Sequence, residues 1–125
     1  LMDLVRREKL LTHVGCILRF DPILKRVKQI LDQKEISRAE VMCASYLPQW
    51  RPDQDYRDSY SAKKALGGGV LLDLIHEPDY CRWLFGPIER IEGIAGKRSD
   101  LEIETEDYAD MTIFHASGIG LSTDR

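Results

Sequence analysis

Gly67-Gly68-Gly69 runs directly into Val70-Leu71-Leu72-Asp73-Leu74-Ile75-His76. Three successive residues without a Cβ suit a backbone that adopts positive φ or passes close to other backbone. The apolar spacing that follows is helical, so the chain has to enter a helix here through a tight turn. Asp73 and His76 stand three apart, on neighbouring lines of one helical face. An acid and an imidazole placed so can move a proton near neutral pH. The same pair is equally a half-buried histidine hydrogen-bonded to a local carboxylate, and spacing alone leaves both readings open.

The helix is expected over residues 69–85. At about 100° per residue, Val70, Leu71, Leu74, Ile75, Pro78, Cys81 and Phe85 fall on one broad arc. Asp73, His76, Glu77 and Tyr80 fall together on another. Pro78 removes a hydrogen bond and bends the helix, and Gly86-Pro87 ends it. Elsewhere, residues 1–11 read as the tail of an amphipathic helix, and His13 to Leu18 as a short buried strand. Asp21 before Pro22 is an N-cap followed by proline at the first helical position, predicting a helix over about 22–33. Ile36 to Leu47 suits a strand. Pro48 to Tyr60 is polar and aromatic without a period and reads as a long loop, a common place for function. Ile88 to Lys97 and Asp107 to His115 read as two strands, and Ser117-Gly118 as a hairpin turn into a third. The order predicts an α+β fold: an open, mostly antiparallel sheet packed by helices.

The chain has 125 residues, 43% hydrophobic and 31% charged, enough for one modest core. Its 18 Lys+Arg against 21 Asp+Glu leave a net charge of −3, with no basic footprint for nucleic acid. No apolar run reaches the roughly 20 residues of a membrane span, and the first residues do not have the order of a secretion signal. Cys16, Cys43 and Cys81 are odd in number and widely spaced, which predicts reduced thiols and a cytoplasmic protein. The chain opens in what reads as mid-helix and stops after a strand-like run, as a piece of a longer polypeptide would.

Asp73, His76, Glu77 and Asp79 are potential metal ligands. The pattern is not His-Glu-x-x-His, because position 80 is tyrosine, and no metal site is expected. The glycines are not a dinucleotide fingerprint, nor does Lys-Ser/Thr follow them. Close backbone approach or positive φ explains them better, although the turn is expected to present N–H groups toward a ligand. Arg51, Tyr60, Lys63 and Lys64 suit an anionic or hydroxylated ligand together, while each alone is an ordinary solvated side chain. Trp50, an aromatic in a polar loop, should pack on a sugar, a partner chain or the domain itself.

Val14-Gly15-Cys16-Ile17-Leu18-Arg19-Phe20-Asp21-Pro22, Trp50-Arg51-Pro52, Tyr60-Ser61-Ala62-Lys63-Lys64, Gly67 to His76 and Trp83-Leu84-Phe85-Gly86 follow one another in a familiar order. In this the chain resembles the glucose–fructose oxidoreductase / inositol dehydrogenase / MocA family. The resemblance runs from about residue 1 to about 121. It implies an NAD(P)-dependent oxidoreductase acting on a hydroxyl of a sugar, amino sugar or cyclitol. It also implies a Rossmann domain that is missing here, with its glycine fingerprint and Glu-Lys-Pro motif. Residues 1–18 would be the remnant of that domain, and 19–125 a C-terminal substrate-binding and oligomerisation domain, itself truncated. The cofactor, NAD or NADP, would be bound mainly by the missing part. By position, His76 matches the family's catalytic histidine and Asp73 the aspartate that orients substrate and tunes it. Arg19, Trp50, Arg51, Tyr60 and Lys64 fall where substrate contacts are made. Many members place three residues between the aspartate and the histidine, not two, which turns His76 by about 100°. The expected partners are a small-molecule sugar or polyol and a second copy bound through the sheet, with no nucleic acid or membrane. A rival expectation is a non-catalytic interaction module that self-associates through that sheet.

Overall fold

Asp21 starts the first long helix as its place before Pro22 demands: its Oδ1 accepts from the N–H groups of Ile23 and Leu24. The computed structural model describes residues 1–116 and 120–123, the last four through their backbone. Helix α1 spans Met2–Arg7, α2 Pro22–Leu31, α3 Val70–Asp73 and α4 His76–Phe85. The strands are β1 (Arg38–Val41), β2 (Ile88–Gly96), β3 (Tyr108–His115) and β4 (Gly120–Thr123). They form one sheet in the order β1-β4-β3-β2. Only β1 and β4 run parallel; β4 with β3, and β3 with β2, are antiparallel. The α+β fold with an open, mostly antiparallel sheet is therefore present. The turn expected at Ser117-Gly118 lies outside the described residues. Among the described residues no helix is long and apolar enough to cross a membrane, and no disulfide joins the cysteines.

Alternation along β3 decides where the core sits. Ala109, Ile113 and His115 are buried on one face, and Ile113 pairs across to Ile91. Cys81, Leu84 and Phe85 of α4 pack on that face with Ile113. Val27 and Leu31 of α2, Ile36, and Ala39 and Val41 of β1 close in around them. Full burial of side chains such as Ile113 stabilises by roughly 1.5–3 kcal/mol each. In the same core, His115 Nδ1 lies 2.9 Å from the Gly86 carbonyl oxygen, and its ring stands edge-on to Phe85 at 5.8 Å. Arg90 stacks over Phe114 at 3.9 Å and Arg98 over Tyr108 at 3.4 Å. By register Arg90, Phe114 and Tyr108 belong to the opposite face of the sheet.

Three expectations change. His13 to Leu18 is not a strand: it is irregular chain leading into a 3-10 turn at Ile17–Phe20. Val14 and Ile17 are 80% and 74% exposed, since the sheet edge does not reach this segment and an unpaired strand has nothing to hydrogen-bond. The strand expected over Ile36 to Leu47 shrinks to Arg38–Val41, and Leu47–Gln49 is a 3-10 turn. The long central helix is broken into α3 and α4. Pro78 clashes with the carbonyl four residues back, which is that of Leu74. Leu74 accordingly leaves helical geometry at φ −110°, ψ 30°, and α4 restarts with Pro78 in its first turn, where no N–H is needed. The break re-aims the faces: Glu77, expected with the polar arc, is buried, whereas Ile75, expected inside, is 58% exposed.

Candidate functional site

The glycine turn is built against the segment that precedes β3. Thr105 Oγ1 donates to the Ser61 carbonyl at 2.8 Å, and the Glu104 N–H to that of Ala62 at 2.9 Å. Gly68 passes so close to this layer that a Cβ would lie 2.2 Å from the Tyr60 oxygen. Gly69 has φ 115°, and a Cβ there would meet the Glu106 carboxylate at 2.4 Å. Glu106 also takes the donors of the helix entrance. Its backbone oxygen accepts from the Val70 N–H at 3.0 Å and its Oε1 from the Leu71 N–H at 3.3 Å. A carboxylate where a phosphate would sit repels one, so the glycine turn does not fit a dinucleotide pyrophosphate. The expectation that it presents free N–H groups to a ligand is corrected by the same contacts. Composition and spacing held no signal for Glu106, because it stands 36 residues from the turn it completes.

A cleft of about 80 Å³, partly open to solvent, lies beside this turn. Trp50, Leu47, Leu101 and Ile103 give it apolar walls, with Ser61, Thr105 and Asp73 among the polar groups. Trp50 Nε1 donates to Ser45 Oγ, which fixes the indole at the rim. Asp73, the last residue of α3, reaches the cleft, and its Oδ1 is buried with no hydrogen-bond partner among the described residues. A desolvated carboxylate oxygen is costly unless something donates to it, so this atom is able to accept from a hydroxyl placed in the cleft. Asp107, also at the cleft, is already satisfied. Burial opposes its charge, but donors from Ser99 and the backbone of Arg98 outweigh that and hold its pKa below the usual range.

His76 is the first residue of α4, beyond the break, and is not among the cleft walls. Its Nε2 lies 3.2 Å from Oε2 of Glu77, not beside Asp73. The other candidates scatter. Arg51 stacks over the Tyr60 ring at 5.6 Å, next to a smaller hollow shared with Trp50. Lys64 is exposed on a 3-10 turn. Arg19 is engaged away from the cleft: its Nε and Nη2 donate to Asp79 of α4 at 3.0 and 2.5 Å. That fork holds the Asp79 carboxyl below its ordinary range, the Arg19 hydrogen bonds being the main cause. The structure thus brings Asp73 and Trp50 to one cleft, Arg51 and Tyr60 to its flank, and leaves Arg19 and Lys64 apart. The loop behind them is tied down by Arg57. It grips Asp55, whose carboxyl falls to about 2, and reaches Glu102 at 2.6 Å.

A model of the GFO/IDH/MocA C-terminal domain matches residues 24–123. The chain belongs to this family. Solved structures agree on the fold. An NAD-binding protein from Listeria innocua superposes with a TM-score of 0.68 at 25% identity, over 98% of this chain and 35% of its own. GenD2 from gentamicin A biosynthesis, in complex with NAD, gives 0.65 at 25%, over 92% and 32%. An oxidoreductase from Agrobacterium radiobacter, in complex with NAD+, L-tartaric acid and magnesium, gives 0.58 at 23%, over 81% and 28%, a likeness of fold alone. The chain spans about a third of the length of each. No curated protein matches it significantly. Within the GFO/IDH/MocA C-terminal domain, then, the cleft is bounded by the glycine turn, the Trp50 loop and the segment before β3 that carries Glu106 and Asp107.

Proposed function

We propose that this domain is the substrate side of an NAD(P)-dependent oxidoreductase acting on a hydroxyl of a sugar, amino sugar or cyclitol. The reaction class is oxidation of an alcohol to a carbonyl, the hydride leaving to an oxidised nicotinamide held by another part of the whole protein. The single observation that carries the reading is the Asp73 oxygen, buried and unsatisfied in a cleft walled by Trp50. An aromatic face and a bare acceptor are what a polyhydroxylated ring needs for stacking and orientation. Membership of the family and neighbours named as NAD complexes support the cofactor class. In this reading Asp73 orients the substrate, and His76, on the first turn of α4, takes the hydroxyl proton as it is released. Residues 1–18 are the junction with a nucleotide-binding domain, and 19–125 the substrate domain.

The test is His76→Asn in the whole enzyme. It is expected to lower kcat by roughly 10²–10⁴, the scale of a lost acid–base group. An unchanged kcat makes His76 a structural residue and removes it from the mechanism.

A second reading, self-association through the sheet without catalysis, is favoured by one feature. On β2, Ile94 is 57% exposed on the same face as the Arg90–Phe114 and Arg98–Tyr108 stacks. An apolar residue among flat aromatic stacks is a surface that a copy can cover. Light scattering decides: dimers in a protein inactive on every polyol tested favour this reading, and a monomer ends it.

A further inference from the structure

The helix break at Leu74–Ile75 separates Asp73 from His76, so the imidazole has a different carboxylate. Glu77 is 8% exposed, and shares the lining of a small hollow with Val41, Leu71, Leu74, Ala109 and Met111. Its Oε2 is 3.2 Å from His76 Nε2, while the His76 side chain remains 39% exposed. A buried carboxylate held by packing beside a more exposed imidazole is the arrangement in which the acid fixes the ring and its tautomer. The approach is within ion-pair range and is not a formed hydrogen bond as it stands. Such bonds commonly tighten only when substrate is bound.

We infer that Glu77 is the positioning residue for His76, and that Asp73 serves the substrate alone. The inference rests on the reading of His76 as the acid–base group. Glu77 holds Nε2 in its protonated form, which leaves Nδ1 as the basic nitrogen. When Nδ1 accepts the substrate proton, the O–H bond breaks, an imidazolium forms, and the Glu77 carboxylate faces its charge. The Asp-x-x-His spacing follows from the same geometry: the break turns His76 away from Asp73 and toward the residue after it.

Two substitutions in the whole enzyme test this. Glu77→Met fills the hollow with an apolar chain and removes the acceptor; Glu77→Gln keeps an oxygen of the same reach and removes the charge. Expected for Glu77→Met is a kcat lower by about 10–100-fold, with the substrate KM changed less than about twofold. Glu77→Gln should fall between it and the wild type. ¹⁵N NMR of the His76 ring should show the Nε2–H tautomer in the wild type and a mixture in Glu77→Met, which a merely structural role would not produce. If Glu77→Met does not fold, the isosteric Glu77→Gln decides by the same two measurements. A wild-type kcat and tautomer in the folded variant overturn the inference. Should His76→Asn also leave kcat unchanged, the reading of His76 itself has failed; a slow His76→Asn beside a fast Glu77→Met rejects Glu77 alone.

Discussion

At the scale of single residues, the glycine turn is the clearest link from composition to chemistry. Gly69 has both reasons to be glycine: φ 115°, where a side chain is strained, and the Glu106 carboxylate 2.4 Å from where a Cβ would stand. Gly69→Ala is expected to lower the free energy of urea unfolding by about 1–3 kcal/mol. It should also displace Glu106 from the Leu71 N–H. A denaturation midpoint equal to wild type would show that the turn is not under this constraint. Cys81 is the opposite case, a reactive residue type made inert. Burial, with Glu77 adding to it, pushes its thiol up to about 12, so it belongs to the core and not to chemistry. His76, Asp73 and Trp50 were legible as candidates from spacing and composition. Glu106 was not, because what makes it matter is a neighbour brought in by folding, and Glu77 was read as a polar-face carboxylate because the helix break that buries it was not legible.

At the scale of elements, the Arg19–Asp79 fork ties the 3-10 turn at Ile17–Phe20 to α4. The two side chains are 33% and 19% exposed, so solvent screens part of the attraction. Asp79 is held below its ordinary range in the folded protein, chiefly by Arg19, so its contribution is full above the unfolded Asp value of about 3.9. It is lost as pH falls through the lowered folded value. Arg19→Met should therefore lower Tm at pH 7, and the gap to wild type should close on acidification below about pH 4. A gap that stays constant with pH would assign the loss to packing. Helix α2 was readable to within a few residues, because Asp21 and Pro22 mark its start by local chemistry. The segment His13 to Leu18 was misread since a strand needs a partner edge, and no local pattern says whether one is in reach. Pro78 signalled a bend; the fold made it a full break that exchanged Glu77 for Ile75 in the interior.

For the molecule as a whole, the charge at the helix entrance disfavours a nucleotide pyrophosphate on this domain. Glu106 occupies the donors that a pyrophosphate would use. The 125-residue chain alone is therefore expected to give no saturable change in nicotinamide fluorescence when titrated against NADH or NADPH. Tight saturable binding would place a cofactor site on this domain and sink the division of labour proposed here. The sheet, in the order β1-β4-β3-β2, carries the core on the α4 side and leaves the Arg90–Phe114 face for other contacts.

What sequence alone determined were the features written in local chemistry: the capped start of α2, the glycine entry to α3, the strands β2 and β3, and the family pattern that joins them. Each depends on residues within one or two turns of each other, where rotamers, caps and φ preferences act directly. The site depended on longer connections. Glu106 reaches back 36 residues to complete the turn at Gly69–Val70, Trp50 arrives at the cleft from a loop, and the break at Leu74 parts Asp73 from His76. Tertiary structure decided these because burial and contact across the sheet, not spacing along the chain, determine which carboxylate faces which partner.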